Sequence, residues 1–198
     1  LNSNFTCNYT YAVAGNTYHC HKKGGHGSQS LSQAIANSCN PAFIQIGQLI
    51  GSETFSKYFE AFGLTQKTGI DLPGEASSNY HKLEDMHSTE LASSSFGQTF
   101  NITPLHTLTL AAAAVNGGYI VQPHVAEKLI DSNGKVVKTF SDSYKRQVVS
   151  ESTSATMRQL LEYVVQNGAK NGQVAGYRVG GKTGTSEKVS KMLELGIK

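Results

Sequence analysis

A lysine and several hydroxyl side chains stand close together near the end of the chain. Residues 182–185 spell Lys-Thr-Gly-Thr, and two glycines come directly before them. Threonine suits a β-strand, whereas glycine weakens one unless another backbone or a ligand must approach it closely. An ammonium group, hydroxyl groups and strand N–H groups can together bind a carboxylate or an oxyanion. We therefore predict that residues 176–188 form a strand along one edge of an anion-binding site.

The same stretch has a second interpretation as a phosphate-binding loop. Counted from Gly176, it matches the pattern G-x-x-x-x-G-K-T, which requires a buried strand before it and a helix from the lysine onward. Residues 169–175 are too polar for a buried parallel strand. The nucleotide-binding hypothesis therefore lacks its strand, and a glycine-rich strand without a function is a further alternative.

Two polar side chains, Ser38 and Asn40, lie at a predicted break between two apolar helices. Apolar residues recur at helical spacing on both sides of the break. Pro41 disfavours helix at Asn40 and permits a new helix to begin, which is predicted to end at Gly51 before a third helix over residues 52–62. A break of this kind presents polar side chains from a rigid support.

Cysteine and histidine concentrate near the start of the chain. Residues 5–22 predict a β-hairpin with a turn at residues 14–16. Strand alternation sends neighbouring side chains to opposite faces, so the potential zinc ligands there are predicted not to converge, and neither a metal nor another cofactor is expected. These potential ligands are Cys7, His19, Cys20, His21 and His26.

The same hairpin leaves the state of its two cysteines open. Cys7 and Cys20 could form a disulfide across the hairpin in an oxidising compartment, and free thiols are the alternative.

The totals restrict the class of protein. The chain of 198 residues has room for one domain with a core, and its 38% hydrophobic content, without a long apolar run, excludes disorder and a membrane span. The net charge of +3 is spread thinly, so a nucleic-acid-binding surface is not indicated.

The remaining patterns place helices and strands in separate blocks. We predict a hairpin over residues 1–23, a mainly helical part over residues 28–116, and a part with strands, one helix and the final strand over residues 119–198. Residues 76–89 are predicted to be loop.

The helix predicted over residues 105–116 has small and apolar side chains, so we expect a sheet to cover it. Further predictions are strands over residues 119–123, 125–130 and 136–140, a hairpin turn over residues 131–134, and a helix capped by Ser152 that ends at Gly168.

Taken together, Ser38-Cys39-Asn40 and Lys182-Thr183-Gly184 make the chain resemble the transpeptidase domain of penicillin-binding proteins, most of all the class B type. The signatures of that family are S-x-x-K, S-x-N and K-T-G. The resemblance implies an α/β (α+β) fold of the transpeptidase and serine β-lactamase type, in which an antiparallel sheet packs against helices. Supporting stretches follow in the family's order at residues 24–27, 69–75, 96–98, 103–104 and 116–118.

One signature departs from the family pattern. S-x-x-K should precede S-x-N, but its only literal match is residues 132–135, in a predicted hairpin turn after S-x-N, and we reject it. We therefore expect a single partial domain, truncated at both ends and inactive by itself, with the nucleophilic serine outside residues 1–198.

The resemblance assigns catalytic roles to three residues. Ser38 would shuttle a proton beside the family's missing lysine, and Lys182 would supply positive field to Ser38 and to the substrate carboxylate. Asn40 would hold the amide carbonyl of the substrate.

Substrate binding would fall to the lysine-threonine-glycine segment. Thr183 and Thr185 would bind the terminal carboxylate through their hydroxyls, and the Thr185 N–H would be one of two oxyanion donors. Gly184 would keep the strand surface low enough for the substrate.

The resemblance also implies partners and a location. The substrate would be a peptidoglycan stem peptide ending in D-Ala-D-Ala, which β-lactam antibiotics mimic. We expect a parent protein anchored in the bacterial membrane and facing its extracytoplasmic side, with a homo-oligomer as a further hypothesis, formed through an exposed sheet edge. A β-lactam-hydrolysing or β-lactam-sensing relative and a nucleotide-binding module are the alternatives.

Overall fold

The computed structural model describes residues 3–141 and 143–185, together with residues 194 and 196. Helices and antiparallel strands form an α+β arrangement, as predicted. The helices are α1 (Leu31–Ala36), α2 (Asn40–Ala61), α3 (Ser88–Ser95), α4 (Pro104–Val115) and α5 (Glu151–Asn167), with short 3-10 helices at Leu83–Asp85 and Lys170–Gly172. The strands are β1 (Asn4–Cys7), β2 (Thr10–Val13), β3 (Asn16–His19), β4 (Gly27–Ser30), β5 (Tyr119–Val121), β6 (Lys128–Ile130), β7 (Val136–Thr139) and β8 (Tyr144–Gln147). None of the helices in this part of the chain has the length and apolar character needed to span a membrane.

The strands pair into four antiparallel ribbons of two strands each, β1 with β4, β2 with β3, β5 with β8 and β6 with β7. The predicted hairpin turn at residues 131–134 joins β6 to β7, as expected.

The strand predicted over residues 176–188 is absent from the part that the structure describes. Residues 176–185 pair with no strand, and residues 186–188 lie outside the described residues. A strand needs a partner for its N–H and C=O groups, and this segment instead contacts α5, where the Gly181 N–H donates to the Leu161 carbonyl at 3.2 Å.

The N-terminal hairpin is real but shorter than predicted. Ala14 (φ 47°) and Gly15 (φ 83°) form the tight turn between β2 and β3, in the left-handed conformation that such turns require. Strand β1 does not belong to this hairpin and pairs with β4, with Phe5 opposite Gln29. Phe5 and Cys7 are both buried, because alternate side chains of β1 face the core beside α1 and α2.

The break between the first two helices is present as predicted. Ser30 caps α1 through its hydroxyl, which accepts from the Gln33 N–H. Ser38 then takes a left-handed conformation (φ 48°), and the extended Cys39 precedes the first residue of α2. Gly51, the predicted end of the next helix, interrupts α2 with φ 76° and ψ 163°.

The prediction of a loop in the middle of the chain is wrong. The loop predicted over residues 76–89 contains the 3-10 helix Leu83–Asp85 and the start of α3. Helix α3 is rich in serine, and the Ser95 hydroxyl bonds back to the Leu91 carbonyl at 2.6 Å, while Leu91 and Ala92 are buried. Burial against neighbouring elements therefore stabilises a helix that the serine content disfavours.

Among the described residues, no sheet covers helix α4, contrary to the prediction. Its Leu108 is 64% exposed, and only His106 and Ala113 are buried along it. It contacts β5 and α5, so its apolar surface is only partly covered. Helix α5 begins two residues earlier than predicted, because Ser150 and not Ser152 accepts the capping bond, from the Thr153 N–H.

A connector over residues 67–75 joins the helical part to the strands that follow it. The Asp71 carboxylate accepts from the Val125 N–H at 2.8 Å and from the Ala126 N–H at 2.9 Å. Glu75 closes the connector on itself by accepting from the Thr68 N–H at 2.7 Å. Two carboxylates therefore hold this loop and tie distant parts of the chain together.

Candidate active site

The structure brings Ser38 and Lys182 into direct contact, although they are far apart in sequence. The Lys182 ammonium nitrogen donates to the Ser38 hydroxyl oxygen, with Nζ and Oγ 2.8 Å apart. Ser38 follows the end of α1, and Lys182 lies on the segment that contacts α5. The proximity predicted for these two side chains is confirmed, whereas their chemical roles remain predictions.

Close packing of α1 and α5 places the two side chains together. A Cβ added at Gly168, which ends α5, would lie 2.3 Å from the carbonyl oxygen of Ala36 in α1. Only glycine permits this approach, so Gly168 determines how near the Ser38 end of α1 comes to α5.

The segment that carries Lys182 is held along α5 by an ion pair and by glycines. Arg178 Nε donates to a carboxylate oxygen of Glu162 at 3.0 Å. A Cβ at Gly180 would lie 3.1 Å from the Cβ of Leu161, so the first glycine of the pair lets the segment lie close to the helix. The sequence predicted that these glycines serve a close approach, and a helix is one partner of that approach.

The surroundings of Lys182 change its acidity. Partial burial of the ammonium group lowers the pKa of Lys182 below its ordinary value, because burial disfavours the charged form. Lys182 Nζ also donates to the Thr183 carbonyl at 2.9 Å and lies 6.0 Å from the centre of the Phe43 ring. A lysine with a lowered pKa exchanges protons more readily with a hydroxyl it contacts.

The residues after Lys182 present an open surface. A Cβ added at Gly184 would meet no atom within 4 Å, and Thr183 and Thr185 are exposed. The Thr185 carbonyl accepts from Gln98 Nε2 at 3.4 Å, and Gln98 belongs to one of the supporting stretches noted above. This surface can receive a ligand, and the roles predicted for Thr183, Gly184 and Thr185 remain predictions.

Asn40 is fixed from the opposite side by the N-terminal hairpin. It is the first residue of α2, and its Nδ2 donates to the carbonyl of His19 at 3.2 Å. Its predicted role toward a substrate carbonyl likewise remains a prediction.

The described residues do not support the phosphate-loop hypothesis. The short 3-10 helix Lys170–Gly172 and a turn precede Gly176, where that loop needs a buried strand. Residues 182–185 are also not helical, although a helix should begin at the lysine.

The structure contradicts the prediction that the cysteines and histidine do not converge. One ligand atom each from Cys7, Cys20, His26 and Cys39 lies within 4.8 Å of the others, and all three cysteines are free thiols. Strand alternation failed as an argument because Cys20 and His26 lie beyond the end of β3, where it does not apply. His19 and His21 stay outside this group, and Cys39, which follows Ser38, belongs to it.

Burial dominates the acidity of the deepest of these thiols. Burial raises the pKa of Cys39 to about 12 and also raises the pKa of Cys20. Burial acts the same way on Cys7, but there the N–H groups of His26 and Tyr9 outweigh it and lower the pKa. Burial lowers the pKa of His26, so its imidazole favours the neutral form. The signal that could have revealed the group is that it uses every cysteine in the sequence.

Curated proteins similar to this chain have names that refer to sporulation or to peptidoglycan transpeptidases. Stage V sporulation protein D of Bacillus subtilis is 45% identical over 179 residues, which cover 89% of this chain and 28% of that protein. The peptidoglycan D,D-transpeptidase PbpA of Mycolicibacterium smegmatis is 32% identical over 160 residues, which cover 80% of this chain and 32% of that protein. The chain thus spans about a third of the length of these relatives.

The solved structures that resemble this chain are also transpeptidases or penicillin-binding proteins. The D,D-transpeptidase domain of a peptidoglycan glycosyltransferase from Eggerthella lenta matches with a TM-score of 0.85 and 29% identity, over 94% of this chain and 49% of that one. The imipenem acyl-enzyme complex of penicillin-binding protein A from Mycobacterium tuberculosis matches with a TM-score of 0.83 and 25% identity, over 94% of this chain and 44% of that one. The family model of the penicillin binding protein transpeptidase domain matches residues 1–194. The chain therefore belongs to the penicillin-binding protein transpeptidase family, of the class B type that its signatures predicted.

Proposed function

We propose that this chain is the part of a serine D,D-transpeptidase that supplies the S-x-N and K-T-G walls of the active site. The observation that carries the proposal is the 2.8 Å hydrogen bond between Lys182 Nζ and Ser38 Oγ, which joins the two signatures. The relatives named peptidoglycan D,D-transpeptidases support the reaction type.

The chemistry would be two successive acyl transfers. A serine hydroxyl from an S-x-x-K segment, which does not precede Ser38 in this sequence, attacks the carbonyl carbon of the D-Ala-D-Ala peptide bond. The carbon–nitrogen bond breaks, D-alanine leaves with the proton, and the peptide stays as a serine ester. An amine of a second stem peptide then attacks the ester and restores the serine.

Ser38 would move the proton in both steps, and Lys182 would assist it. The Ser38 hydroxyl passes the proton of the attacking serine to the departing nitrogen, and the positive charge of Lys182 supports this relay through their hydrogen bond. In the second step the Ser38 hydroxyl carries the proton of the attacking amine back to the serine.

The remaining site residues would position the substrate. Asn40 holds the amide carbonyl of the peptide, and the hydroxyls of Thr183 and Thr185 bind its terminal carboxylate. The Thr185 N–H contributes to the oxyanion hole, and Gly184 leaves space for the peptide because a Cβ there faces an open surface.

The proposed partners and location follow from the relatives. The solved acyl-enzyme complex of penicillin-binding protein A with imipenem supports β-lactam binding. We propose peptidoglycan stem peptides as the substrate, and a membrane-anchored parent protein acting on the extracytoplasmic side of the membrane.

Fluorescent penicillin labelling of the full-length protein tests the role of Lys182. Lys182→Met removes the hydrogen bond to Ser38, and we expect the acylation rate constant to fall by about 10²-fold or more. Lys135→Met, in the β6–β7 turn, is the matched control and should label at the wild-type rate. Wild-type labelling of Lys182→Met would reject the proposed role.

The position of the nucleophile is tested separately. Residues 1–198 alone should not become covalently labelled, because no S-x-x-K precedes Ser38 in them. Stable labelling of that stretch would show that the nucleophile lies within it.

A further inference from the structure

We propose that Cys7, Cys20, His26 and Cys39 form a zinc-binding site that fixes the Ser38–Asn40 segment. Their four potential ligand atoms lie within 4.8 Å of one another, and no other cysteine occurs in the chain. Three thiolates and one imidazole form a ligand set typical of structural zinc.

The geometry of the four groups suits a tetrahedral ion. Cys20 Sγ and His26 Nδ1 are 3.3 Å apart. Around zinc, with Zn–S distances near 2.3 Å, sulfur atoms lie about 3.8 Å apart, so closing the group requires movements of about an ångström. Cys7, Cys20 and Cys39 are at most 3% exposed, as expected for a closed structural site.

The four residues come from four separate parts of the fold. Cys7 ends β1, Cys20 follows β3, His26 precedes β4, and Cys39 precedes the first residue of α2. Gly25 permits this meeting: a Cβ there would lie 2.1 Å from the Cys7 carbonyl oxygen, and its φ of 77° also favours glycine. The loop before β4 is thus pressed onto the end of β1, which brings His26 to Cys7.

Backbone N–H groups surround the three sulfur atoms. Each sulfur lies within hydrogen-bonding reach of at least one of them, as metal-bound sulfur atoms commonly do. These N–H groups belong to His26 and Tyr9 for Cys7, to Lys22 for Cys20 and to Ala42 for Cys39.

A buried amide points to the same conclusion. Gln29 is 3% exposed, and its Nε2 has no hydrogen-bond partner among the described residues, while its Oε1 accepts from Asn37 at 3.0 Å. The Gln29 side chain lies near the Cys39 sulfur, so this amide can donate to a Cys39 thiolate. A metal-bound thiolate at Cys39 would give this donor its partner.

Other arrangements use fewer of these groups. A disulfide can join only two of the three sulfurs. It does not explain why the third sulfur and the His26 imidazole lie beside them. Simple apolar packing beside Phe5 and Ala42 accounts for buried thiols but not for an imidazole directed at one of them.

The proposed zinc site would hold part of the candidate active site in place. Cys39 stands between Ser38 and Asn40, so a metal bound through its sulfur would tie that segment to β1 and to the loop before β4. This consequence rests on the proposed transpeptidase function, whereas metal binding itself does not.

Metal content and coordination test the proposal without any activity assay. The full-length protein, purified without chelator, should contain about one zinc ion per chain by mass spectrometry of the metal. X-ray absorption should show three sulfur ligands and one nitrogen ligand, and cobalt(II) substitution should give the absorption of a tetrahedral thiolate site. Absence of stoichiometric zinc, with no tetrahedral cobalt spectrum on reconstitution, would overturn the proposal, as would an intact-protein mass that reveals a disulfide.

Variants separate the ligands from their neighbours. His26→Ala should lose zinc, whereas His19→Ala, which changes an exposed histidine at the end of β3, should retain it. Gln29→Leu should weaken zinc binding by about 10-fold, as removal of a hydrogen bond to a ligand does. Equal zinc content in wild type and His26→Ala would contradict the assignment. Penicillin labelling of the same samples reports separately on the proposed function, so the two can fail independently.

Discussion

Gly184 shows what a single residue contributes to the candidate site. A Cβ added there would meet no atom within 4 Å, so the fold itself does not require glycine at this position. We expect Gly184→Ala to leave the melting temperature unchanged and to slow penicillin acylation, because the added methyl group would occupy space that the proposed ligand needs.

A neighbouring glycine provides the control for this prediction. Gly180→Ala would place a Cβ 3.1 Å from the Leu161 Cβ, so it should lower the melting temperature. Thermal unfolding and acylation kinetics of both variants check the contrast. A Gly184→Ala protein that is destabilised but fully active would contradict the assignment of Gly184 to the binding surface.

Sequence signatures identified the Ser38–Lys182 pair, but not the thiol and imidazole group. Ser38 and Lys182 belong to motifs whose order indicates a shared site, and their contact at 2.8 Å confirms the proximity. The convergence of Cys20 with His26 depends on a loop pressed against β1, and neither strand alternation nor spacing encodes that contact.

At the scale of elements, the packing of α1 on α5 positions Ser38. Gly168→Ala would place a Cβ 2.3 Å from the Ala36 carbonyl oxygen and force the helices apart. We expect a loss of about 1–3 kcal/mol in the free energy of unfolding, measured by urea denaturation, together with slower acylation.

Gly172→Ala is the matched substitution near the same helix. Its Cβ would contact only the Val165 Cγ1 atom, at 3.7 Å, which is ordinary packing. Its stability should stay within about 0.5 kcal/mol of wild type. Equal effects of the two substitutions would mean that the approach of α1 to α5 is not tight.

Elements with strong local signals were predictable, and those stabilised by distant contacts were not. The Ser30 cap and the proline after Asn40 fixed the break between α1 and α2. Helix α3 has a serine-rich sequence and forms through burial of Leu91. The segment with Lys182 has strand-like residues, but it lies beside helix α5. It pairs with no strand among the described residues.

At the scale of the whole molecule, Asp71 joins the helical part to the strands that follow. The N–H groups of Ala126 and Val125 lower the pKa of Asp71 below its ordinary value of 3.8, since they stabilise the charged carboxylate. The unfolded chain therefore binds this proton more readily than the folded one. The stabilisation is fully present above the ordinary pKa and is lost as the pH falls through the lowered one.

Asp71→Asn should reveal this linkage in the pH dependence of thermal unfolding. The variant should melt below wild type at neutral pH, and the difference should shrink as the pH falls through the lowered pKa. Asp131→Asn is the control, because Asp131 accepts only from N–H groups of its own turn, at Asn133 and Lys135, among the contacts described. A constant difference for Asp71→Asn at all pH values would contradict the prediction.

The signatures scattered along the sequence were enough to predict the α+β class and the family. They did not predict how the helical part is connected to the strands that follow it. The sequence marked residues 69–75 as a family stretch, but only the fold shows that Asp71 binds the N–H groups of Val125 and Ala126. Side chain to backbone contacts over such a distance leave no periodic pattern in the sequence.

The left-handed backbone of Ser38 sets stability against the activity proposed for this position. A non-glycine residue at φ 48° costs about 1–3 kcal/mol relative to a relaxed conformation, and glycine would avoid most of that cost. Ser38→Gly should therefore unfold at a higher temperature than Ser38→Ala, while both lose the hydroxyl that Lys182 contacts. A laboratory evolution experiment that selects only for heat resistance should thus enrich glycine at residue 38. The selected proteins should melt at a higher temperature and should lack the proposed activity.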